Sequence, residues 1–425
     1  MINLEFAKNK TYYVVGLGKS NKAAIKALSK VGADVRVWDD KSAGLVGYDD
    51  KIICPPDKAP WSKIKAVVMA PGITPDHPIA VTANEKNIPV ICDVDLYAQS
   101  NPSCKIVGVT GTNGKSTTTA LIHHILNFDG KSQMGGNIGE PVLAMKIRVD
   151  YTVLELSSYQ LERSPNLKCD VAVLLNISPD HLAWHGDMDD YIAAKAKIFD
   201  GAAHKIISID DDLSKGIADA HDDAHRLSIY EELPINQSQF PRMKGAHNLQ
   251  NLLAAYQACR ALDIDHDTII ERMKTFDGLA HRQYLVRVIN GVPYVNDSKA
   301  TNAEATKQAL RAYRNIILIA GGVPKDGGLD GVDNDLAEVK KAYLLGAARH
   351  DFSEFLSALG IDVETGETLD DVMPKAHTYA QELRGEPTGA PTVLFSPACA
   401  SFDQYENFEK RGDHFCDLVN GLDDA

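Results

Sequence analysis

An apolar run at Lys105–Val109 leads directly into Thr110-Gly-Thr-Asn-Gly-Lys-Ser-Thr117 and then into the apolar, helix-forming Thr118–Leu126. Strand, glycine-rich loop and helix in this order predict an α/β sheet of parallel strands, with the loop at their carboxyl ends. The glycines let backbone N–H groups close around phosphates, and Lys115 can reach the β- and γ-phosphates. A Ser116 or Thr117 hydroxyl can bind Mg²⁺, and the helix N-terminus favours negative charge. The strict phosphate-loop spacing would place glycine at 109, where Val109 stands. A plain glycine turn is the competing reading, and the flanking strand and helix weigh against it.

The same alternation recurs along the 425 residues, a length that suits two or three domains. Thr11–Val15, Gly16-Leu-Gly18, a helical Lys22–Leu28 and Asp34–Trp38 form a β-α-β unit, so a Rossmann-like domain is expected over 1–102. Asn21 fills the third glycine slot of a dinucleotide fingerprint, which leaves a simple tight turn open as an alternative. Asp39 stands where such folds place a ribose-binding or base-binding carboxylate. A polar cluster at Ser100–Ser103 marks the next boundary, and a central α/β domain with the phosphate loop is expected over 103–280. Beyond it, Leu285–Ile289, an Asn290-Gly291 turn and Val292–Val295 read as a hairpin opening a third α/β domain, 281–425.

A net charge of −14 argues against a nucleic-acid backbone binder, so local motifs must account for any phosphate site. Seven scattered cysteines, none in a Cys-x-x-Cys pair, read as reduced thiols in a cytoplasmic protein. No apolar stretch approaches the length of a membrane span and no export signal is read.

Three further residues draw notice. Glu155 follows an apolar strand and could emerge beside the phosphate loop to bind Mg²⁺. His181 sits in a polar loop, and Lys195 lies in the helical Tyr191–Ile198. Taken singly these read as a solvated carboxylate, a surface histidine and a solvated lysine.

Together with Gly135-Gly-Asn-Ile-Gly139, Glu155-Leu-Ser-Ser-Tyr-Gln-Leu-Glu162, Asp180-His-Leu182, Ala194-Lys195, Gly245-Ala-His-Asn248 with Asn251, and His281-Arg282, the set resembles the Mur ligase family from end to end. Asn296-Asp-Ser-Lys-Ala-Thr-Asn302, Ser396-Pro-Ala-Cys-Ala-Ser-Phe-Asp-Gln-Tyr405 and Asn407-Phe-Glu-Lys-Arg-Gly412 narrow the resemblance to members that join D-glutamate to UDP-N-acetylmuramoyl-L-alanine. The resemblance implies an ATP-dependent amide ligase working through an acyl phosphate, and a monomer is expected. It implies that Lys19, Ser20, Asp39, Ala70 and Gly72 face UDP, while Asn137, Ser157 and Gln160 hold the muramoyl-alanine portion. Gly114, Lys115, Ser116 and Thr117 would grip the ATP phosphates, with Asn251 at the adenine, Arg282 at the γ-phosphate and Asp297 at the ribose, and Gly111, Thr112, Asn113 and Asn248 would also bind ATP. Lys299, Thr301, Lys325, Ser401 and Phe408 would receive D-glutamate. Two Mg²⁺ are implied, one on Ser116 and Glu155, the other on His181 and a CO₂-modified (carbamylated) Lys195. Lys115, His181, Lys195 and Arg282 would carry the catalysis.

Two other enzymes and a non-enzyme compete. A folylpolyglutamate synthase would lack the domain preceding the phosphate loop. An oxidoreductase argued from Gly16-Leu-Gly18 leaves Thr110–Thr117 unexplained. A non-catalytic nucleotide switch needs neither Lys195 nor the Ser396 stretch.

Overall fold

The computed structural model describes all residues except 1, 147, 232–233, 241, 326, 386–388 and 424–425. Its strands are β1 (Thr11–Val15), β2 (Asp34–Trp38), β3 (Ile64–Met69), β4 (Val90–Ile91), β5 (Lys105–Thr110), β6 (Ser132–Gly136), β7 (Tyr151–Glu155) and β8 (Val171–Leu174). They continue with β9 (His204–Ser208), β10 (His225–Leu227), β11 (Tyr284–Ile289), β12 (Val292–Asn296), β13 (Ile316–Gly321), β14 (Val339–Leu345), β15 (Asp362–Thr365) and β16 (Thr392–Phe395). The chain divides into two compact units. One holds Met1–Asn236 with Asn248–Thr275, the other Gln237–His247 with Phe276–Ala425.

The first unit contains two sheets, ordered β2-β1-β3-β4 and β10-β9-β8-β5-β7-β6, parallel throughout. Both are rich in β-branched and aromatic residues, and strands such as Thr11–Val15 and Val171–Leu174 are buried along their length, as parallel strands covered on both faces must be. One apolar core runs through this unit, from Leu28 and Tyr97 to Val142, Leu154 and Leu174. In each sheet the chain reverses direction of growth at the first strand, so ligand crevices are expected beyond the carboxyl ends of β1 and β5.

The second unit carries β11-β12-β16-β13-β14-β15. Its hairpin is the one expected: β11 and β12 pair antiparallel, and Asn290 and Gly291 both take positive φ, 52° and 86°, as a two-residue hairpin turn requires. Cores lie on both faces of the sheet, around Leu318, Leu344 and Phe352 on one side and Ile319, Phe395 and Phe415 on the other.

Four strands were not anticipated: β6, β10, β14 and β15. β6 reads Ser-Gln-Met-Gly-Gly, poor in β-formers. It exists because its glycines permit close approach: a Cβ at Gly136 would strike the Glu155 carbonyl, and one at Gly135 the Glu140 carbonyl and Met145.

Candidate functional site

Strand register builds the phosphate site. Val109, at the end of β5, lies opposite Glu155, the last residue of β7, while Thr110 lies opposite Leu174 of β8. The loop between β5 and helix Lys115–Leu126 is therefore flanked by Glu155 on one side and by Asn176, just past β8, on the other. Asn176 Oδ1 accepts from the Asn113 amide at 2.8 Å, and its Nδ2 donates to the Asn113 carbonyl at 3.2 Å and to Gln250 Oε1 at 2.9 Å. Gly114 caps the helix in the left-handed region, φ 83°, a conformation natural to glycine. Asn251 packs against it, its Oδ1 accepting from Thr118 Oγ1 at 3.1 Å and its Nδ2 donating to Asn248 Oδ1 at 3.1 Å. Thus Asn251, expected at the adenine, and Asn248, expected to bind ATP, form a braced pair beneath the loop.

Two lysines converge there. Lys115 Nζ donates to the carbonyls of Gly111 at 2.9 Å and Thr112 at 2.8 Å. Lys195 Nζ donates to the same Gly111 carbonyl at 2.8 Å and lies 4.7 Å from the centre of the Tyr191 ring. Lys195 is 2 % exposed, which corrects the reading of it as a solvated lysine: its helix, Met188–Ala196, presents this residue inward. Burial first, and then the Lys115 ammonium, hold the Lys195 amine well below its usual value.

Glu155 is also buried, at 2 % exposure. Asn137 Nδ2 donates to its Oε1 at 2.8 Å, and its Oε2 has no hydrogen-bond partner. A buried carboxylate oxygen without a donor, beside a phosphate loop, fits a hard cation. His181 takes positive φ, 56°, and its ring lies 5.0 Å from that of Tyr159 and 3.3 Å from an Asp180 carboxylate oxygen. Among the described residues no group of three or more His, Cys, Asp or Glu side chains is arranged to hold a metal ion.

Around β1, Asp39 Oδ2 accepts from the Leu17 amide at 2.7 Å and Oδ1 from Lys41 at 2.9 Å, tying the strand-end carboxylate to the first glycine loop. Lys19 Nζ donates to the Gly139 carbonyl at 3.2 Å, next to the segment that carries Asn137. Ala70 and Gly72 follow β3 in the neighbouring loop, and Ser20 lies in the first turn of helix Lys19–Lys30. Ser157 and Gln160 form a capping box at helix Ser158–Glu162, so their local role is to fix that helix start.

In the second unit, β12, β16 and β13 end side by side. Asp297 is buried, its Oδ2 accepting from Ser396 Oγ at 2.8 Å and its Oδ1 from the Gln283 amide at 3.1 Å. Burial raises its carboxyl to about 7, partly offset by the Ser396 hydroxyl. The Lys299 ammonium lies 4.0 Å from the centre of the Phe408 ring. Ser298 joins the two segments, donating to the Phe408 carbonyl at 2.8 Å and accepting from Arg411 Nε at 3.0 Å. Ser401 is buried, Thr301 directly precedes helix 303–312 by two residues, and Lys325 is exposed beyond β13. Arg282 stands near His247, whose imidazole burial and that guanidinium lower to about 4.

Asp297 gives a pH test. Its carboxyl is protonated in the folded state up to about 7 and ionised in the unfolded chain above its ordinary value near 4. The folded state therefore holds the extra proton, and its stability falls as pH rises from about 4 through about 7. Asp297→Asn should lose this slope, so its Tm relative to the parent should climb between pH 5 and 8, roughly the window where the parent ionises. A pH-independent Tm difference would oppose this.

Asn176, Arg163, Trp184 and Tyr191 were not singled out from sequence. Only their placement by register and packing brings them to the loops, so no motif could have flagged them.

Comparison with known proteins places the chain in a family. Residues 109–241 match the Mur ligase middle domain. The chain is 42% identical to UDP-N-acetylmuramoylalanine--D-glutamate ligase of Rhodospirillum rubrum, over 96% of this chain and 94% of that one. Its fold resembles UDP-N-acetylmuramate-alanine ligase MurC of Thermotoga maritima, with TM-score 0.57, 18% identity and coverage of 97% and 99% of the two chains. It also resembles MurF ligase of Thermotoga maritima in complex with ADP, with TM-score 0.55, 17% identity and coverage of 99% and 97%. Identity of this degree over nearly the whole of both chains means that the chain belongs to the UDP-N-acetylmuramoylalanine--D-glutamate ligase family of Mur ligases.

Proposed function

We infer that the chain is an ATP-dependent, ADP-forming ligase that joins D-glutamate to UDP-N-acetylmuramoyl-L-alanine in peptidoglycan precursor synthesis. The observation that carries this is the convergence of Lys115 and Lys195 on one carbonyl of the phosphate loop, with Glu155 opposite Val109. A carboxylate is a poor acyl donor, so the substrate carboxylate first attacks the γ-phosphorus of ATP and ADP departs. The D-glutamate amine then attacks the acyl carbon, losing a proton as inorganic phosphate leaves. Phosphoryl transfer of this kind needs positioned positive charge more than a strong acid or base.

Lys115 supplies that charge from within the loop, and Arg282 is its proposed partner at the γ-phosphate. Bound Mg²⁺ would add charge neutralisation of the phosphates, with Ser116 and Glu155 holding one ion and His181 and modified Lys195 the other. The buried, depressed Lys195 amine is suited to modification: its neutral form adds CO₂ and releases one proton, giving a carbamate oxygen ligand. The remaining assignments follow the residues named from sequence: the 1–102 segment for UDP, 103–280 for ATP and 281–425 for D-glutamate. No described helix is long and apolar enough to cross a membrane. We further assign a monomer acting in the cytoplasm.

Phosphate release tests the reading. It should require ATP, UDP-N-acetylmuramoyl-L-alanine and D-glutamate together, with amide product formed alongside it. Equal turnover with L-glutamate, or with a folate acceptor, would overturn it.

A further inference from the structure

The loop after β3, Ala70-Pro-Gly-Ile73, is held from two sides. On one, Gly16 of the first glycine loop abuts it so closely that a Cβ at Gly16 would strike Ala70 Cβ and Ile73 Cδ1. On the other, Arg163 reaches across from the end of helix Ser158–Glu162. Its Nη1 donates to the carbonyls of Ala70 at 2.8 Å and Pro71 at 3.4 Å, and its Nη2 to Ile73 at 2.6 Å. Trp184 Nε1 donates to the Ile73 carbonyl as well, at 3.1 Å, and the guanidinium carbon lies 5.2 Å from the centre of the Trp184 ring.

Arg163 is 4 % exposed and Trp184 8 %. A buried guanidinium normally answers a carboxylate, but here backbone carbonyls of one loop take its N–H groups. The neighbouring Glu162 is committed elsewhere, to Lys197 at 2.6 Å. The geometry has a consequence for the loop. In a trans peptide the carbonyl and the next N–H point opposite ways. Drawing the Pro71 and Ile73 carbonyls toward Arg163 turns the N–H groups of Gly72 and Thr74 away from it.

Trp184 also heads a run of rings leading to the phosphate loop. Its ring is 4.6 Å from Tyr159 and 4.6 Å from His185. His185 is 5.2 Å from Tyr191, and Tyr191 Oη is 3.1 Å from Thr112 Oγ1.

We propose that Arg163 and Trp184 are positioning residues for the nucleotide-sugar substrate, fixing the peptide planes of the Ala70–Ile73 loop so that its N–H donors face that substrate. The inference rests on the ligase reading above, because it takes the Ala70–Gly72 loop as part of the UDP site. It differs from that reading in needing neither residue to touch substrate. Arginine suits the task because its planar fork spans several acceptors at once, which a lysine point charge does not.

The experiment is steady-state kinetics of Arg163→Ala, Arg163→Lys and Trp184→Phe with each of the three substrates varied, beside calorimetric binding of UDP-N-acetylmuramoyl-L-alanine alone. Arg163→Ala should raise both the KM and the Kd for UDP-N-acetylmuramoyl-L-alanine by about tenfold or more. KM for ATP and for D-glutamate should stay within about twofold, the scatter expected where no contact is lost. Arg163→Lys should recover part of the loss. Trp184→Phe keeps an aromatic ring while removing the indole N–H and part of the ring system, so it should show the same selective rise, smaller, even if Arg163→Ala folds poorly. Unchanged KM and Kd in a folded Trp184→Phe and Arg163→Lys pair, or equal rises for all three substrates, would overturn the proposal. Failure of the parent enzyme to use UDP-N-acetylmuramoyl-L-alanine would instead defeat the ligase reading itself, so the two failures are distinguishable.

Discussion

Lys195→Ala is expected to abolish nearly all ligase activity, by roughly 10³-fold or about 4 kcal/mol of transition-state stabilisation, while leaving the fold intact. The loop should survive because Lys115 also donates to the Gly111 carbonyl that Lys195 serves, so that acceptor keeps a partner. On the proposed reading, what the variant loses is the amine that CO₂ would convert into an oxygen ligand, and with it the field around the transferred phosphoryl group. Millimolar formate or acetate should restore part of the rate by placing a carboxylate in the vacated space. Lys197→Ala is the comparison. That residue makes an ion pair with Glu162 that is 40 % and 39 % exposed, an interaction worth about 0–1 kcal/mol, and its rate should stay near the parent. Turnover of Lys195→Ala near the parent level would reduce Lys195 to a structural donor and weaken the metal role of His181. Loss without anion rescue would argue against the carbamate.

Gly114→Ala should raise the KM for ATP by about 100-fold or more, while calorimetric binding of UDP-N-acetylmuramoyl-L-alanine changes little. Two costs combine. The residue sits at φ 83°, where an L side chain is strained by about 1–2 kcal/mol. The added Cβ would also strike Asn251 Oδ1, and Asn251 is held by Thr118 and Asn248, so the loop rather than the asparagine must move. Gly216→Ala, in helix Asp212–Asp219 with open space at its Cβ, should be neutral or mildly stabilising. Equal ATP KM for Gly114→Ala and the parent would show that the loop tolerates a side chain and does not close around phosphates.

The legible parts of this protein are those whose signal is local. The strand-loop-helix at 105–126, the β-α-β at 11–38 and the hairpin at 284–296 each follow from β-branched runs, glycines at turns and a two-residue Asn-Gly turn, all readable within a dozen or so residues. β6 and β14 were not legible for the converse reason. Ser132–Gly136 lacks β-formers and is a strand only because β7 offers it an edge. Val339–Leu345 carries two lysines directly after Val339, one of which, Lys341, is paired by its edge-side neighbour β15 through Asp362 and Glu364.

The same division runs through the site. Sequence by itself determined which residues can do the chemistry: a lysine and hydroxyls at a helix start, glycines that admit phosphate, a strand-end glutamate. Periodicity could not say that Lys195 is buried, because a lone lysine among alanines reads as a solvated face until the helix is packed. Nor could it show that Ser157 and Gln160 cap their own helix, or that Arg163 and Trp184, over 90 residues from Ala70–Ile73, hold that loop. Those facts depend on strand order and register, which juxtapose segments distant in the chain. The tertiary structure alone decided them, since burial and the sharing of one carbonyl by two lysines are properties of packed neighbours rather than of any stretch of sequence.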